Sequence, residues 1–406
     1  MSVSSAAPTV EGDREGDSPP RLRVALLAGT LGQGGAEKQL VYMARALRQS
    51  NVTVRVYSLR RNEFYDTALR RLNLEPTWIG RLENPLLRLG AFVRVLRTYR
   101  PHVIQSGHCF GNFYVALAAR LFGAVSIGSI RSDALCELEE MGRWAPWFFR
   151  LPRSIIANSH AALDNLKSLG VPVATCHVVP NVIDLAEFDV PGELVGPVVP
   201  PRESPIVATV GLLDRVKRLD RFLDVLTLAR ASMPRLRGII IGDGPERSRL
   251  TTLARDRGLL PDGVQFLGQR QDVPALLRQA DVFLLTSEHE GFPNVLLEAM
   301  AARLPVVTTP AGDAGRVVKD GATGYVVPSD HVHVMAQRVL QLAKSFPLRQ
   351  RFGDAGRRSV EQNYGYAGLA RCLLATYRVI AAEQRHERAL RVLACPALSR
   401  APAPQH

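Results

Sequence analysis

Two glutamates, Glu290 and Glu298, flank a Gly-Phe-Pro turn in the stretch SEHEGFPNVLLEAMAARLPVV (287–307). Pro293 suits the first position of a helix, because its φ is fixed near the helical value and its missing N–H would be unpaired there. Glu290 would then lie in the loop before the helix, and Glu298 more than one turn inside it. Carboxylate oxygens accept hydrogen bonds from the paired hydroxyls of a sugar or ribose. The spacing therefore predicts two sugar rings held by one loop and one helix.

A second interpretation assigns both acids to ordinary structure. Glu298 would pair with Arg303 across the helix, and Glu290 would be a solvated loop acid. Against it, Glu298 stands among Leu296, Leu297, Ala299 and Met300. A charged group in such a setting is costly to bury unless it has a partner or a ligand.

Composition limits the class of protein. The chain has 406 residues, of which 46% are hydrophobic and 22% charged, which is typical of a folded protein with two domains. No run approaches the roughly 20 apolar residues that a membrane-spanning helix needs. The cysteines are scattered without a C-x-x-C pair, so we expect neither a disulfide framework nor a zinc site, and we expect a cytoplasmic location. They are Cys109, Cys136, Cys176, Cys372 and Cys395.

Short β-rich runs alternate with helical patterns in both halves of the chain. This alternation predicts an α/β protein with two Rossmann-like, doubly wound domains, and ligands in the cleft between them. The predicted segments are a disordered leader (1–20), an N-terminal domain (21–190), a proline-rich linker (191–205), a C-terminal domain (206–364), helices that brace the domains (365–390) and a disordered tail (391–406).

The formal net charge of +13 is concentrated in arginine. From Arg60 to Arg100, both included, the chain has nine arginines and four acids, and residues 84–100 alternate apolar side chains with arginines at helical spacing. Such a helix can lie on an anionic membrane surface, so a peripheral position on the inner membrane face is one prediction. The alternative is a helix packed on a sheet with an arginine-rich solvent face. No nucleic-acid motif accompanies the charge, so we expect no nucleic-acid partner.

The E-x7-E spacing of Glu290 and Glu298 resembles the motif of retaining GT-B glycosyltransferases of family 4 (glycosyl transferases group 1). Other segments match that family in its order, from roughly residue 22 to residue 380. They are GTLGQGGAEKQL (29–40), NVIDLAEF (181–188), VGLLDRVKRLD (210–220) and a series of motifs from Gly238 to Pro328. The resemblance implies the GT-B fold and transfer of a sugar from a UDP- or GDP-linked nucleotide-sugar to a glycan, lipid-linked or polysaccharide acceptor, with no other cofactor.

The resemblance also implies roles for individual residues. Glu298 would accept hydrogen bonds from the donor ribose, Glu290 would hold hydroxyls of the transferred sugar, and Lys217 would offset charge on the departing diphosphate. The predicted catalytic residues are Glu290, His108 and Lys217. The predicted donor-binding residues are Gly34, Gly35, Arg215, Lys217, Glu290, Phe292, Asn294, Val295 and Glu298.

This chain departs from the family pattern at two positions. Leu212 stands where the family usually has arginine after the glycine of that strand end, and Arg215 is the predicted replacement for its charge. Val182 replaces the glycine of the N-G-V-D segment, which we expect to change only a turn.

The acceptor side is defined less sharply by the sequence. Gly34 and Gly35 would let the backbone approach the donor closely, and His108 follows a strand where the resemblance places a histidine near the transferred sugar. Arg131 and Asp133, with Ser132 between them, are the predicted acceptor contacts. His331 and His333 lack a third ligand, so no metal is predicted, and protein cations and helix dipoles would take its electrostatic role.

Four other functions are open at this point. An epimerase of the same fold would interconvert nucleotide-sugars without an acceptor, and a non-catalytic nucleotide-sugar-binding protein would explain Leu212. An NAD-dependent oxidoreductase would fit the glycine loop, but NVTVRVYSLRR (51–61) lacks the acid that would bind its ribose. A nucleic-acid binder would show strongly salt-dependent binding.

Overall fold

The computed structural model describes residues 21–81, 83–133, 142, 145–171, 175–190, 204–395 and 398. The predicted leader, nearly all of the predicted linker and the end of the predicted tail lie outside them. The described residues form two parallel sheets with apolar cores on both faces of each sheet. The prediction of an α/β protein with two Rossmann-like domains is therefore confirmed.

The first sheet has seven parallel strands in the order β3-β2-β1-β4-β5-β6-β7. Its strands are β1 (Arg23–Ala28), β2 (Thr53–Ser58), β3 (Thr77–Trp78), β4 (Val103–Ser106), β5 (Val125–Ile130), β6 (Ser154–Ala157) and β7 (Cys176–Val178). The helices of this half are α1 (Gly35–Gln49), α2 (Asp66–Arg71), α3 (Pro85–Tyr99), α4 (Asn112–Phe122), α5 (Ala145–Arg150), α6 (His160–Ser168) and α7 (Ala186–Asp189).

The second sheet has six parallel strands in the order β10-β9-β8-β11-β12-β13. Its strands are β8 (Ile206–Val210), β9 (Arg237–Ile241), β10 (Val264–Gly268), β11 (Val282–Leu285), β12 (Val306–Thr308) and β13 (Gly324–Val326). Its helices are α8 (Leu219–Ser232), α9 (Arg247–Asp256), α10 (Val273–Leu277), α11 (Asn294–Ala301), α12 (Ala314–Val317), α13 (Val332–Lys344) and α14 (Phe346–Asn363).

Both sheets reverse their strand order at one place, between β1 and β4 in the first sheet and between β8 and β11 in the second. The loops that follow such neighbouring strands leave in opposite directions and open a crevice, which is where doubly wound folds bind ligands. The loops after these four strands carry Gly34, His108, Lys217 and Glu290. The topology therefore explains why residues so distant in sequence belong to one site.

The chain returns to the N-terminal domain at its end. Helix α14 packs in the C-terminal domain, but α15 (Leu369–Glu383) buries Leu373 and Tyr377 in the core of the first sheet. Helix α16 (Glu387–Leu393) follows, and its residues Val392 and Leu393 are buried in the same core. The predicted start of a disordered tail at residue 391 is therefore wrong, because an apolar helix face continues through residue 393.

Helix α3 contains the arginine-rich segment. The Asn84 side chain accepts a hydrogen bond from Leu86 N at 2.9 Å and caps the helix, with Pro85 in the first turn. Phe92 and Leu96 are buried against the sheet, whereas Arg94 and Arg97 are exposed. The helix thus packs on a sheet with an arginine-rich outer face. None of the helices in the described residues combines the length and the apolar character that a bilayer span requires.

Candidate active site

The glycine-rich loop after β1 lies at the interface of the two domains. A Cβ atom at Gly34 would lie 2.3 Å from Glu37 Oε2, and one at Gly35 would lie 2.3 Å from Asn294 Nδ2, which belongs to the C-terminal domain. Glycine therefore lets the start of α1 approach α11 closely. Nearby, Gln269 Nε2 donates a hydrogen bond to Gln33 Oε1 at 2.6 Å, again between domains.

His108 follows β4 and is held at both ring nitrogens. Gly29 N donates to His108 Nδ1 at 3.3 Å, and His108 Nε2 lies 3.2 Å from Glu37 Oε1. Since Nδ1 accepts, this hydrogen-bond network assigns the proton to Nε2, which donates to the carboxylate. The two side chains are only 13% and 11% exposed. In this geometry His108 is an oriented hydrogen-bond donor.

Lys217 and Glu290 meet at the ends of β8 and β11. Lys217 Nζ donates to Glu290 Oε1 at 2.7 Å, and Ser287 Oγ donates to the same oxygen at 2.7 Å. Lys217 N donates to Asp214 Oδ1, which orders the loop that presents the lysine. The structure thus brings two predicted catalytic residues into direct contact.

Glu298 lies inside α11 and faces α1 of the other domain. Its Oε1 atom is 3.7 Å from Lys38 Nζ, and the same ammonium lies 2.9 Å from Glu187 Oε2. Burial raises the pKa of Glu298, although the positive charge of Lys38 opposes this rise. Burial by itself would lower the pKa of Lys38. The opposing effects of Glu298, Tyr42 and Glu187 are larger, so the pKa of Lys38 is raised.

The alternative partner proposed for Glu298 is engaged elsewhere. Arg303 Nη1 lies 2.6 Å from Asp354 Oδ1 on α14. The predicted Glu298–Arg303 pair is therefore wrong, and the carboxylate faces the interdomain crevice instead.

The helix after the turn begins one residue later than predicted. Helix α11 begins at Asn294, and Pro293 is its N-cap with φ −77°. Phe292 is buried, and its ring packs 5.6 Å from that of Tyr364. Val295 packs against the same apolar core. The side chains of Phe292 and Val295 are thus structural, which leaves their backbone N–H groups as the predicted donor contacts.

Asn294 connects the crevice to the N-terminal domain. Its Oδ1 atom accepts a hydrogen bond from Asn181 Nδ2 at 2.8 Å. Asn181 belongs to the segment NVIDLAEF, whose Val182 is buried. This interdomain amide contact places Asn294 beside Gly35, as the glycine geometry requires.

Arg215 and Leu212 lie on the outer part of the loop after β8. The Arg215 side chain is 91% exposed, with its Nε atom 3.7 Å from Glu246 Oε1, and Leu212 is 57% exposed. No ion pair joins Arg215 to Glu290 within the described residues. The replacement of the missing arginine by Arg215 stays a prediction.

The two predicted acceptor residues occupy different positions. The Arg131 guanidinium is turned inward, with Nη2 3.2 Å from Met43 Sδ and Nη1 3.4 Å from Asn181 Oδ1. Burial lowers its pKa to about 10. Asp133 instead reaches the other domain, because its Oδ2 atom lies 3.3 Å from His289 Nδ1. Arg131 therefore suits a structural role, and Asp133 lies beside the loop that carries Glu290.

Sequence reasoning missed three charged residues at this interface. Glu37 and Lys38 directly follow the glycine pair, and that position at a helix start was the available signal. Asp313 in the C-terminal domain accepts hydrogen bonds from His160 N and Ala161 N, both at 2.9 Å. It thereby caps α6 of the N-terminal domain, in agreement with the preference of helix N-termini for negative charge. No distinctive motif marks Asp313.

Metal ligands do not cluster in the described part of the chain, where no three His, Cys, Asp or Glu side chains converge. Positive charge at the crevice comes from Lys38 and Lys217. The arrangement is suited to binding hydroxyl-rich and phosphate-bearing ligands, because carboxylates accept from hydroxyls and ammonium groups attract phosphates.

Two family models match the chain, one over each domain. Residues 195–359 match the model of glycosyl transferases group 1, and residues 33–187 match that of glycosyltransferase family 4. The two matches cover both sides of the crevice.

Curated relatives agree with the family models. A GDP-mannose-dependent alpha-mannosyltransferase of Mycobacterium tuberculosis is 30% identical over 284 residues, which are 66% of this chain and 70% of that relative. An N-acetyl-alpha-D-glucosaminyl L-malate synthase of Bacillus anthracis is 36% identical over 126 residues, or 31% of this chain and 33% of that relative. The chain spans only 33% to 61% of the length of several curated relatives that it matches.

A solved structure supports the fold. The Anabaena HepE protein, crystallised with UDP and glucose, superposes with a TM-score of 0.76 at 19% sequence identity. The superposition covers 88% of this chain and the whole of that one. The similarity shows that the two domains have the GT-B arrangement.

Proposed function

The chain belongs to the GT-B glycosyltransferases of family 4 (glycosyl transferases group 1), and on this premise we propose that it transfers a sugar from a nucleotide-sugar to an acceptor hydroxyl. The observation that carries the proposal is the convergence of Lys217, Glu290 and Glu298 on the crevice between the domains. The similar Anabaena protein was crystallised with UDP and glucose, and the similar mycobacterial enzyme is named as GDP-mannose-dependent. Both names support a UDP- or GDP-linked donor.

In this proposal the two glutamates hold the two sugar rings of the donor. Glu298 accepts hydrogen bonds from the ribose hydroxyls, and Glu290 accepts from hydroxyls of the transferred sugar. The N-terminus of α11 lies between them, so its backbone N–H groups and positive dipole end face the anionic donor. Lys217, in contact with Glu290, would neutralise the diphosphate.

The proposed reaction proceeds with retention of anomeric configuration. The bond from the anomeric carbon to the diphosphate oxygen breaks, and the acceptor oxygen forms a bond to that carbon on the same face. The acceptor proton passes to the departing diphosphate, and the sugar goes through an oxocarbenium-like state. Lys217 stabilises the charge that develops on the diphosphate. His108 lies near the transferred sugar, and its Nε2–H, which donates to Glu37 in this structure, would donate to a sugar hydroxyl in place of that carboxylate.

Domain contacts would protect this reaction from water. Three contacts join the two domains around the crevice: Asp313 with α6, Asn294 with Asn181, and Lys38 with Glu298. Exclusion of water strengthens the electrostatic interactions inside a site and limits hydrolysis of the donor. We therefore propose that the closed arrangement is the one that transfers sugar.

The arginine-rich face of α3 supports a peripheral position on the cytoplasmic face of an anionic membrane. Arg94 and Arg97 are exposed there, and Leu86 and Leu87 are 67% and 55% exposed at the start of the helix. Arginines near an anionic surface contribute about 1 kcal/mol each. Co-sedimentation with vesicles that contain phosphatidylglycerol is expected, and protein that stays in the supernatant would contradict this assignment.

The function is tested by incubating the full chain with UDP-, GDP- and ADP-linked sugars. One donor is expected to raise the melting temperature and to undergo slow hydrolysis, with the free sugar released first as the anomer present in the donor, as followed by proton NMR. Interconversion of two nucleotide-sugars would indicate an epimerase instead. Stabilisation by a donor without any turnover, with or without acceptors, would indicate a binding protein.

A further inference from the structure

A cavity of about 590 Å³ lies in the N-terminal domain, outside the donor residues described above. We call it the aromatic pocket, because its walls include Phe110 and Phe113 from the loop and helix after β4, and Phe148 from α5. Pro85 and Arg88 of α3 close one side. Its volume falls within the range of about 300 to 1,000 Å³ that is usual for sites binding small organic molecules.

The aromatic pocket adjoins the proposed reaction centre. Gly29 lines it, and the Gly29 N–H donates to His108 Nδ1. The Phe110 ring is stacked on the His108 ring, with 5.4 Å between centroids and 17° between planes. A molecule in the pocket would therefore lie next to Gly29 and Phe110, the two lining residues that contact His108.

Positive charge accompanies the apolar walls. Arg60 and Arg88 are the charged residues of the lining, and no acidic residue contributes to it among the described residues. Arginine binds phosphate with two parallel hydrogen bonds, because its planar guanidinium matches the spacing of phosphate oxygens. The lining thus suits an anion attached to an apolar group.

Exposed apolar side chains are next in sequence to residues of the pocket lining. Leu86 and Leu87, next to the lining residues Pro85 and Arg88, are 67% and 55% exposed. Trp147, next to Phe148, is 63% exposed. Together with the apolar lining, these exposed side chains provide apolar area near the mouth-forming segments of α3 and α5.

We propose that the aromatic pocket binds the acceptor, and that the acceptor is an amphiphile in which a phosphate group joins a hydroxyl-bearing head to a hydrocarbon chain. The chain lies against Phe110, Phe113 and Phe148, the phosphate contacts Arg60 and Arg88, and the acceptor hydroxyl points towards His108. This inference rests on the proposed glycosyltransferase function. It selects the lipid-linked class from the three acceptor classes that the sequence left open.

Titration of the full chain with three probes tests the proposal, and the two that form micelles are kept below their critical micelle concentrations. The probes are dodecyl phosphate, inorganic phosphate and dodecyl maltoside. Dodecyl phosphate is expected to bind at least tenfold more tightly than either of the others, because only it offers both chain and phosphate. Equal or tighter binding of dodecyl maltoside would indicate a glycan subsite, and equal binding of inorganic phosphate a simple anion site. Either result overturns the proposal.

Variants locate the binding in the aromatic pocket. Phe148→Asp and the double variant Arg60→Ala/Arg88→Ala are each expected to weaken dodecyl phosphate binding at least tenfold. The matched controls are Leu121→Asp, at a 66% exposed position on α4, and Arg94→Ala on the outer face of α3. Unchanged binding in the arginine double variant would overturn the assignment even if Phe148→Asp does not fold.

Donor titrations in the same variants separate this inference from the proposed function. The pocket variants are expected to bind the nucleotide-sugar as the unmodified chain does, because no donor-binding glutamate lines the pocket. A chain that transfers sugar but does not bind dodecyl phosphate would refute the acceptor class alone. A chain that binds dodecyl phosphate but no nucleotide-sugar would refute the proposed function while the amphiphile site stands.

Discussion

Lys38 in the N-terminal domain and Glu298 in the C-terminal domain form an ion pair across the crevice, with 3.7 Å between Nζ and Oε1. The carboxylate proposed to bind the donor ribose is thus also a contact between the domains. Donor binding and domain closure therefore share a group, which couples them.

Replacing Lys38 by methionine should lower the stability of the folded chain. Glu298 and Glu187 would lose their common cation, and a carboxylate left without its partner in a largely buried site is destabilising. Because Lys38 and Glu298 are 25% and 17% exposed, we expect a loss of about 1 to 3 kcal/mol in the free energy of unfolding, below the value for a fully buried pair. Urea denaturation measures it. Lys344→Met, at an exposed position, is the control and should change little.

Lys217→Ala should act mainly on turnover. Removing the cation that faces the departing diphosphate is expected to lower kcat by about 100-fold to 1,000-fold, the range found when one stabilising donor of a developing charge is removed. Initial rates at saturating donor measure this effect. Lys217→Arg keeps the charge and should retain more activity than the alanine variant. Equal kcat in the alanine variant and the unmodified chain would remove Lys217 from the reaction.

Gly35→Val should open the crevice. A Cβ atom at this position meets the Asn294 amide, so the substitution is expected to displace Asn294, break its bond to Asn181 and raise the KM for donor. Small-angle scattering should show a larger radius of gyration. Gly90→Ala provides the control, because a Cβ atom there meets nothing within 4 Å. The same scattering profile for both variants would argue against a close contact between α1 and α11.

His102 should make the protein sensitive to acid. Burial, with a further contribution from Arg23, lowers the pKa of His102 to about 4 from 6.5. The folded chain therefore keeps this histidine neutral where the unfolded chain binds a proton. Its contribution to stability is complete above the unfolded-state pKa and is lost as the pH falls from 6.5 towards 4, about 3 kcal/mol in total.

Replacement of this histidine tests the assignment. Between pH 6.5 and pH 4, the unmodified chain should lose about 3 kcal/mol more of its free energy of unfolding than His102→Gln does. His333→Gln, at an exposed position, should keep the original pH dependence. Parallel pH curves for His102→Gln and the unmodified chain would contradict the predicted neutral, buried state.

Much of the fold follows from local sequence. The strands are short apolar runs, because helices cover both faces of each sheet. The alternation of these runs with helical patterns predicted both domains. The ordered motifs placed His108, Lys217 and Glu290 after strands that the topology sets at the switch points. The two-residue strand Thr77–Trp78 could not be predicted, since two residues show no periodicity.

Contacts between the domains could not be predicted from sequence. The pairing of Lys38 with Glu298, and of Asp313 with the start of α6, depends on how two separately folded domains face each other. Arg131 shows the same limit, because its position at a strand end predicted exposure to the cleft, whereas its side chain turns inward towards Met43. Local patterns fix which residues end a strand, but not which cavity a long side chain occupies.

The most direct test of the account is a calorimetric titration of the preferred nucleotide-sugar into the unmodified chain and into Glu298→Ala. A hydrogen bond to a charged group contributes about 1.5 to 3 kcal/mol, so the substitution should weaken donor binding by about 10-fold to 150-fold. Glu75→Ala, whose side chain is 78% exposed, should bind the donor as the unmodified chain does. Equal donor affinity in Glu298→Ala and the unmodified chain would contradict the assignment of the crevice as the nucleotide-sugar site.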